Sequence, residues 1–295
     1  MDFPLFAKAR GAMGRFRRDL RRRILKPVVL GSRSMRETVL NGLAERGHLI
    51  YCQGPQGNFF VDPGDRVVAH WLMWRDGWQR EEIAQMTRIL SDTGRLPADA
   101  VFVDAGANIG THTAYALGSG RFARAISCEP EPKNLRLLTM NIAANGLTDR
   151  VRIVPKALGA VAGTAILHLH PRNKGGHSLR ANPSYDGLEK LDVPVTRLDD
   201  LLRTEGVSAE QVGVIWIDTE GFEPQVVEGL GDLLGRVPLS IEYAPKRYTA
   251  EDAAKLRGLL EKNYKTLYRL GTNTQQAEPI SALASIGGIT DILVL

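Results

Sequence analysis

Two cysteines in 295 residues, Cys52 and Cys128, are too few for a disulfide framework or a cysteine-ligated metal centre. Cys128 closes the apolar run AISC and reads as a small core residue rather than a nucleophile. Histidine is scarce as well. The one His-x-His pair, His168 and His170, alternates along a strand-like segment as an exposed strand face would, so no metal site is expected. No apolar stretch approaches the roughly 20 residues needed to cross a bilayer. The N-terminus lacks the apolar core of a secretory leader, which points to a cytoplasmic protein.

Basic charge is lacking from most of the chain, despite a net charge of +5. Residues 1–26 hold nine Lys or Arg against Asp2 and Asp19, a balance of +7 that leaves −2 for everything after them. A body this close to neutral offers no basic groove for nucleic acid. Within the tail, Phe16, Leu20 and Ile24 recur at i, i+4 and i+8, one face of a helix. Such a face suits peripheral contact with an anionic membrane surface or an acidic partner; a solvated terminus is the other reading.

Three segments follow from these patterns: a basic amphipathic tail (1–30), a lead-in or lid (31–98) and a main domain (99–295). The lead-in predicts a helix over Met35–Arg46, a hairpin over Tyr51–Val61 and an amphipathic helix over Glu81–Leu90, with Glu81 and Glu82 at its start. Trp71, Trp74 and Trp78 precede that last helix and read as a small satellite core, or as a platform over a pocket. After Pro97, short apolar runs alternate with helical patterns: Ala100–Val103, Ala125–Cys128, Val151–Val154, Val214–Ile217, Leu239–Ile241, Thr266–Tyr268 and Ile289–Leu295. Alternation of this kind predicts an α/β fold, a mostly parallel sheet with helices on both faces. The last two runs have no convincing helix between them, which predicts an antiparallel ending. Pro132–Asn145 and Ala250–Lys262 are the clearest helices, the second capped by Thr249.

The loop DAGANIG (104–110) follows the first of these strands and opens a helix. Gly106 and Gly110 permit a close backbone approach, and ligands in open α/β sheets lie beyond the carboxyl ends of strands. The loop is not the dinucleotide fingerprint G-x-G-x-x-G, which disfavours a nicotinamide oxidoreductase. An acid at its head, Asp104, suits an ammonium or sulfonium group better than a pyrophosphate, and S-adenosylmethionine carries both. Glu129 ends the second strand, where a carboxylate accepts hydrogen bonds from ribose hydroxyls; capping the next helix is the competing role. Candidate cofactor residues are therefore Asp104, Gly106, Ala107, Asn108, Gly110, Glu129, Pro130, Ala157 and Asp218.

Further on come GGHSL (175–179), VTRLDDLL (195–202), WIDTEGFE (216–223) and SIEY (240–243). In this order after DAGANIG and CEP, they resemble the FkbM family of methyltransferases, over roughly Gly77 to Tyr243. The resemblance implies a class I, Rossmann-like methyltransferase fold using S-adenosylmethionine. It also implies O-methylation of a small-molecule or glycan hydroxyl, on a sugar, polyketide or other secondary metabolite. Asp218, Glu220 and Gly221 correspond to the family's D-x-E-G signature near the reacting centre. One departure stands out: Trp216 occupies a position where the family often has lysine. A rival reading is a scaffold that keeps the fold without turnover. Nucleic-acid methylation is disfavoured by the acidic body and by the lack of an N-P-P-Y-type motif.

Methyl transfer to an alcohol needs in-line positioning and removal of one proton. Asp218 and Glu220 are candidate bases, with Glu242 on the neighbouring strand lining the acceptor site. His177 competes as base, its ordinary pKa of about 6.5 being matched to neutral pH. Three acids together also raise metal assistance as an alternative. Acceptor specificity is expected in the lead-in and in the polar, loop-like Pro171–Lys190 insertion.

Overall fold

A computed structural model describes residues 32–55, 57–75, 77–181, 188–272 and 276–295. The basic tail, with its expected membrane or acidic-partner contact, lies outside the described residues. Two compact units result. The smaller holds the described residues up to Ile50 together with Asp62–Gly64; the larger holds Tyr51–Val61 and Asp65–Leu295. Helix α1 (Arg33–Glu45) builds the smaller unit, its first turn capped by Ser32, whose side chain accepts the Met35 N–H at 3.4 Å.

The expected hairpin is present as β1 (Ile50–Gly54) and β2 (Gly57–Val61). Helices α2 (Val68–Trp74) and α3 (Arg80–Asp92) follow. The tryptophans do not form a satellite core. Helix α2 buries Val68, Ala69 and Leu72, which leaves Trp71 (43% exposed) and Trp74 (39% exposed) on its outer side. Trp71 meets Trp78 edge-on at 5.8 Å, and the Arg75 guanidinium lies 5.8 Å over the Trp71 ring.

The main sheet is built from β3 (Val101–Ala105), β4 (Arg124–Cys128), β5 (Val151–Val154), β9 (Val212–Ile217), β10 (Leu239–Tyr243), β11 (Thr266–Arg269), β12 (Glu278–Pro279) and β13 (Thr290–Val294). A second, three-stranded sheet contains β6 (Ala157–Leu158), β7 (Gly163–His168) and β8 (Lys190–Thr196). The main order is β12-β11-β13-β10-β9-β3-β4-β5. From β10 to β5 every pairing is parallel, while β13 runs antiparallel to both β10 and β11. This is the Rossmann-like α/β arrangement expected, with the antiparallel ending.

Strands β3 and β9 are buried along their whole length, which is why they read as continuous apolar runs. Chain direction through the sheet diverges at β3, with β4 on one side and β9 on the other, and open sheets of this type bind ligands beyond the strand ends at that point. Helix α4 (Thr111–Gly118) leaves the β3 loop, and α5 (Pro132–Ala144) leaves β4. Helices α6 (Leu198–Thr204), α7 (Glu223–Glu228) and α8 (Ala250–Asn263) complete the layers, α8 with Thr249 capping the Asp252 N–H at 3.0 Å.

His168 is buried rather than exposed, and its backbone exchanges hydrogen bonds with Ser178 at 2.8 and 3.1 Å, which folds the 169–177 segment back on β7.

Candidate active site

The turn after β3 is shaped first by the chain itself. Gly106 adopts φ +97°, and a Cβ there would run into the Asp218 carbonyl oxygen. Gly110 (φ +86°) would place a Cβ 2.6 Å from Leu138 Cδ1 on α5. Both glycines thus answer to protein neighbours, and Gly106 also lines the cleft described below. Backbone N–H groups of Gly106 and Ala107 donate to the Cys128 carbonyl at 3.2 and 2.8 Å, tying the turn to β4.

Glu129 sits at the end of β4 with 5% of its surface exposed. Its Oε2 accepts the Asn108 N–H at 2.9 Å and its Oε1 the Glu131 N–H at 2.8 Å. The capping role belongs to Glu131, whose Oε2 accepts the Asn134 N–H of α5 at 2.6 Å. Burial pushes the Glu129 carboxyl up to about 8, against the two backbone N–H bonds that favour its ionised form.

Gly106, Asn108, Glu129, Pro130, Ala157, Asp218, Glu220 and His177 all line one solvent-open cleft. Asp104, Ala107, Gly110 and Glu242 are not on its wall. Asp104 is fully buried beneath the loop, where its Oδ2 accepts the Thr113 hydroxyl at 2.5 Å. Burial raises its carboxyl to about 7. It supports the turn from below rather than facing a cationic ligand. Ala107 is buried and Gly110 starts α4.

Also on the cleft wall, Glu220 has left-handed backbone (φ +53°), and the Ser178 hydroxyl donates to its carbonyl at 2.7 Å. Fully buried Glu223 closes this turn, its carboxylate accepting the Thr219 N–H at 2.8 Å and the Gly221 N–H at 3.0 Å. Arg247 Nη1 lies 2.8 Å from Glu220 Oε2 and 2.5 Å from Glu242 Oε2. Glu242 is therefore held in an ion pair. Asp291 stands opposite it on β13 and receives the Gln79 amide at 2.9 Å.

These carboxyls crowd around one guanidinium. Burial lifts Asp218 well above the ordinary carboxylate range, and Glu242, Glu220, Asp291 and Glu223 add to the effect. Glu220 is raised by burial to about 7, with Arg247 opposing the rise, and burial likewise raises Asp291 to about 7. Asp218, Glu223 and Glu242 bring carboxylate oxygens within 4.8 Å of one another. Two of the three are already engaged, Glu223 by backbone N–H groups and Glu242 by Arg247. No side-chain hydrogen bond holds Asp218 among the described residues.

His177 does not offer a free basic nitrogen on both sides of its ring. Its Nδ1 accepts the His170 N–H at 2.9 Å, so the neutral ring carries its proton on Nε2 and acts there as a donor. Burial, with Lys174, His170 and Lys133 nearby, lowers its pKa to about 4. Trp216 is 1% exposed and packs 4.8 Å from the His112 ring, away from any sugar face.

Sequence reasoning missed Arg247, Glu223, Asp291 and the cleft lysines Lys156 and Lys174. Glu223 was within reach: a glutamate before Pro224 at a helix start is a known end signal. Arg247 and Asp291 meet the cluster only through folding.

A family model described as the methyltransferase FkbM domain matches residues 104–267, more than half of the chain. Methyltransferase sdnD of Sordaria araneosa is 28% identical over 166 residues, covering 48% of this chain and 64% of that protein. Methyltransferase 1 of Beauveria bassiana (strain ARSEF 2860) is 26% identical over 157 residues, covering 48% of this chain and 62% of that one. The chain thus spans less than two thirds of the length of either relative. A crystal structure of methyltransferase FkbM from Methylobacillus flagellatus KT is similar at 17% identity and a TM-score of 0.44, over 67% of this chain and 44% of that one.

Proposed function

The chain belongs to the FkbM methyltransferase family, and from that premise we propose that it moves a methyl group from S-adenosylmethionine to a hydroxyl of a sugar, polyketide or other secondary metabolite. One observation carries the reading: Glu129, Asp218 and Glu220 all stand on the wall of a single cleft. The bound cofactor would supply an electrophilic methyl group on sulfonium sulfur.

The residues present fit such a cofactor. Each Glu129 oxygen accepts only one backbone N–H, which leaves a lone pair on each for a ribose hydroxyl. Asn108 Oδ1, also on the wall, is buried with no hydrogen-bond partner and is free to accept from a ligand. Gly106, Pro130 and Ala157 put no long side chain of their own on this wall.

Proton removal falls to Asp218. Arg247 engages Glu220 and Glu242, and His177 presents a donor N–H, whereas Asp218 has no side-chain hydrogen bond among the described residues. Burial and the neighbouring carboxyls raise its pKa, which makes its ionised form a stronger base than an ordinary aspartate. Glu220 and Glu242 orient the acceptor from beside it, and His177 donates to an acceptor oxygen.

Calorimetric titration with S-adenosylhomocysteine, and separately with NAD, tests the cofactor; binding of NAD alone would overturn the reading. Asp218→Asn should bind S-adenosylhomocysteine within about threefold of wild type while losing about 100-fold or more of labelled methyl transfer to hydroxylated acceptors. Full transfer by that variant would remove Asp218 from the role of base.

A further inference from the structure

Gln79 holds a conformation that few residues other than glycine adopt. It stands just before α3 with left-handed backbone (φ +49°, ψ +29°), and its side chain makes no cap for that helix. Strain of this kind persists only where the surroundings fix it, and it gathers at functional sites. The Gln79 amide is engaged on both sides. Its Nε2 donates to Asp291 Oδ2 at 2.9 Å, and its Oε1 lies 2.8 Å from His112 Nε2. With the amide carbonyl turned to His112, that ring nitrogen carries the proton and donates. Burial pushes His112 down to about 3, so the ring stays neutral. Buried against Trp216, the imidazole fixes which way the amide points.

Asp291 is not an isolated acid. It stands opposite Glu242 on the β10–β13 ladder, and Asp218 and Glu242 bring carboxylate oxygens within 4.8 Å of each other. Three neighbouring strands, β9, β10 and β13, thus carry Asp218, Glu242 and Asp291 side by side, and Gln79 closes the far side. Asp291 Oδ1 is buried with no hydrogen-bond partner among the described residues, so the Gln79 amide is the anchor of this side chain. Glu220, Glu223 and Arg247 also act on Asp218, and Glu82 of α3 acts on Asp291.

We propose that Gln79 is a positioning residue of the methyl-transfer site: its amide holds Asp291 as an ionised neighbour of Glu242 and Asp218, and so sets how firmly Asp218 binds a proton. This deepens the methyl-transfer reading and rests on it, since Asp218 is the base in that reading. The direction of the effect follows from charge. An N–H bond favours the ionised form of Asp291, and a charge there disfavours a second charge on Asp218. Without the amide, Asp291 keeps its proton to higher pH and the repulsion weakens. Asp218 then releases its proton at lower pH and becomes a weaker base.

Protein isotope-labelled at the aspartate carboxyls is titrated by NMR while saturated with S-adenosylhomocysteine, whose own binding is measured first. Asp218→Asn and Asp291→Asn assign the two signals by their loss. In Gln79→Met, which keeps the side-chain length without its hydrogen bonds, the Asp218 midpoint should fall by roughly 0.5–1 unit. That of Asp291 should rise above about 7. Gln79→Gly relieves the left-handed backbone, so it should be no less stable than Gln79→Met and should shift both midpoints the same way. Asp291→Asn should lower the Asp218 midpoint as well. The acid limb of labelled methyl transfer should follow Asp218 in each variant. An Asp218 midpoint that stays put or rises in both Gln79 variants would overturn the proposal, whatever happens to their stability. Failure of S-adenosylhomocysteine to bind wild type refutes the underlying methyl-transfer reading instead. An acid limb that stays put while the Asp218 midpoint moves refutes Asp218 as the base.

Discussion

Replacing Glu129 by Gln separates what this side chain does for the fold from what it does for the cofactor. The carboxyl is buried and moved from 4.5 to about 8. At about 1.4 kcal/mol for each tenfold in acidity, holding it ionised opposes folding by roughly 5 kcal/mol above pH 8. Between pH 4.5 and about 8 the folded protein keeps a proton that the unfolded chain has released. Stability contributed by this group therefore falls as pH rises through that window. Glutamine has no charge to desolvate, but it turns an N–H toward one of the two backbone N–H groups that Glu129 satisfies. One buried donor left without a partner costs about 1–3 kcal/mol.

The two effects have opposite signs at opposite ends of the pH range. At pH 5 Glu129→Gln should be less stable than wild type by about 1–3 kcal/mol. At pH 9 it should be more stable, by roughly 2–4 kcal/mol. Urea titrations followed by tryptophan fluorescence at pH 5, 7 and 9 would show the crossover; stability curves that stay parallel across pH would refute the reasoning. At pH 9, where the carboxyl is ionised, the same variant should bind S-adenosylhomocysteine about ten- to 100-fold more weakly than wild type, because charge-assisted hydrogen bonds of about 1.5–3 kcal/mol are lost. A variant firmer at alkaline pH yet poorer at binding would identify a carboxylate kept for the ligand at the expense of the fold.

Gly106→Ala should cost at least about 3 kcal/mol in urea titration, since its Cβ meets the Asp218 carbonyl from a left-handed backbone; wild-type stability would mean that the β3 and β9 ends separate easily. Glu223→Gln removes one of the acceptors that close the Thr219–Gly221 turn and should lower stability by about 1–3 kcal/mol. Its methyl transfer should fall further than its S-adenosylhomocysteine affinity, and a loss confined to cofactor affinity would contradict the placement of this turn at the acceptor end.

The parallel core was legible because β3 and β9 are buried on both faces, which makes their sequence apolar without interruption. Thr249 was legible as a cap for the same local reason: its partner, Asp252, is three residues away. Legibility ends where the partner is remote. The glycines of 104–110 were identified correctly as close-approach positions, but sequence could not say that Asp218 and Leu138 stand opposite them. The small sheet escaped notice because β6 has two residues and β7 is mostly exposed, leaving no sustained apolar alternation. Arg247 is five residues from Glu242 but 27 from Glu220, and no periodicity links all three.

Trp216 illustrates how a departure from a family pattern acquires meaning only through register. Its neighbours across the ladder are Asp104 on β3 and Ser240 on β10. A lysine at this position would stand beside Asp104 and provide a buried countercharge. With tryptophan there, Asp104 Oδ1 has no hydrogen-bond partner and burial raises the carboxyl to about 7. His112, packed on the indole, is pushed down to about 3 by burial and stays neutral. In this chain an indole and a neutral imidazole fill the volume beside a readily protonated acid, an arrangement that needs no buried countercharge. All of this lies beneath the cofactor loop, since neither Trp216 nor Asp104 reaches the cleft wall. The departure alters the packing around Asp104 and leaves Glu129, Asp218 and Glu220 on the cleft wall.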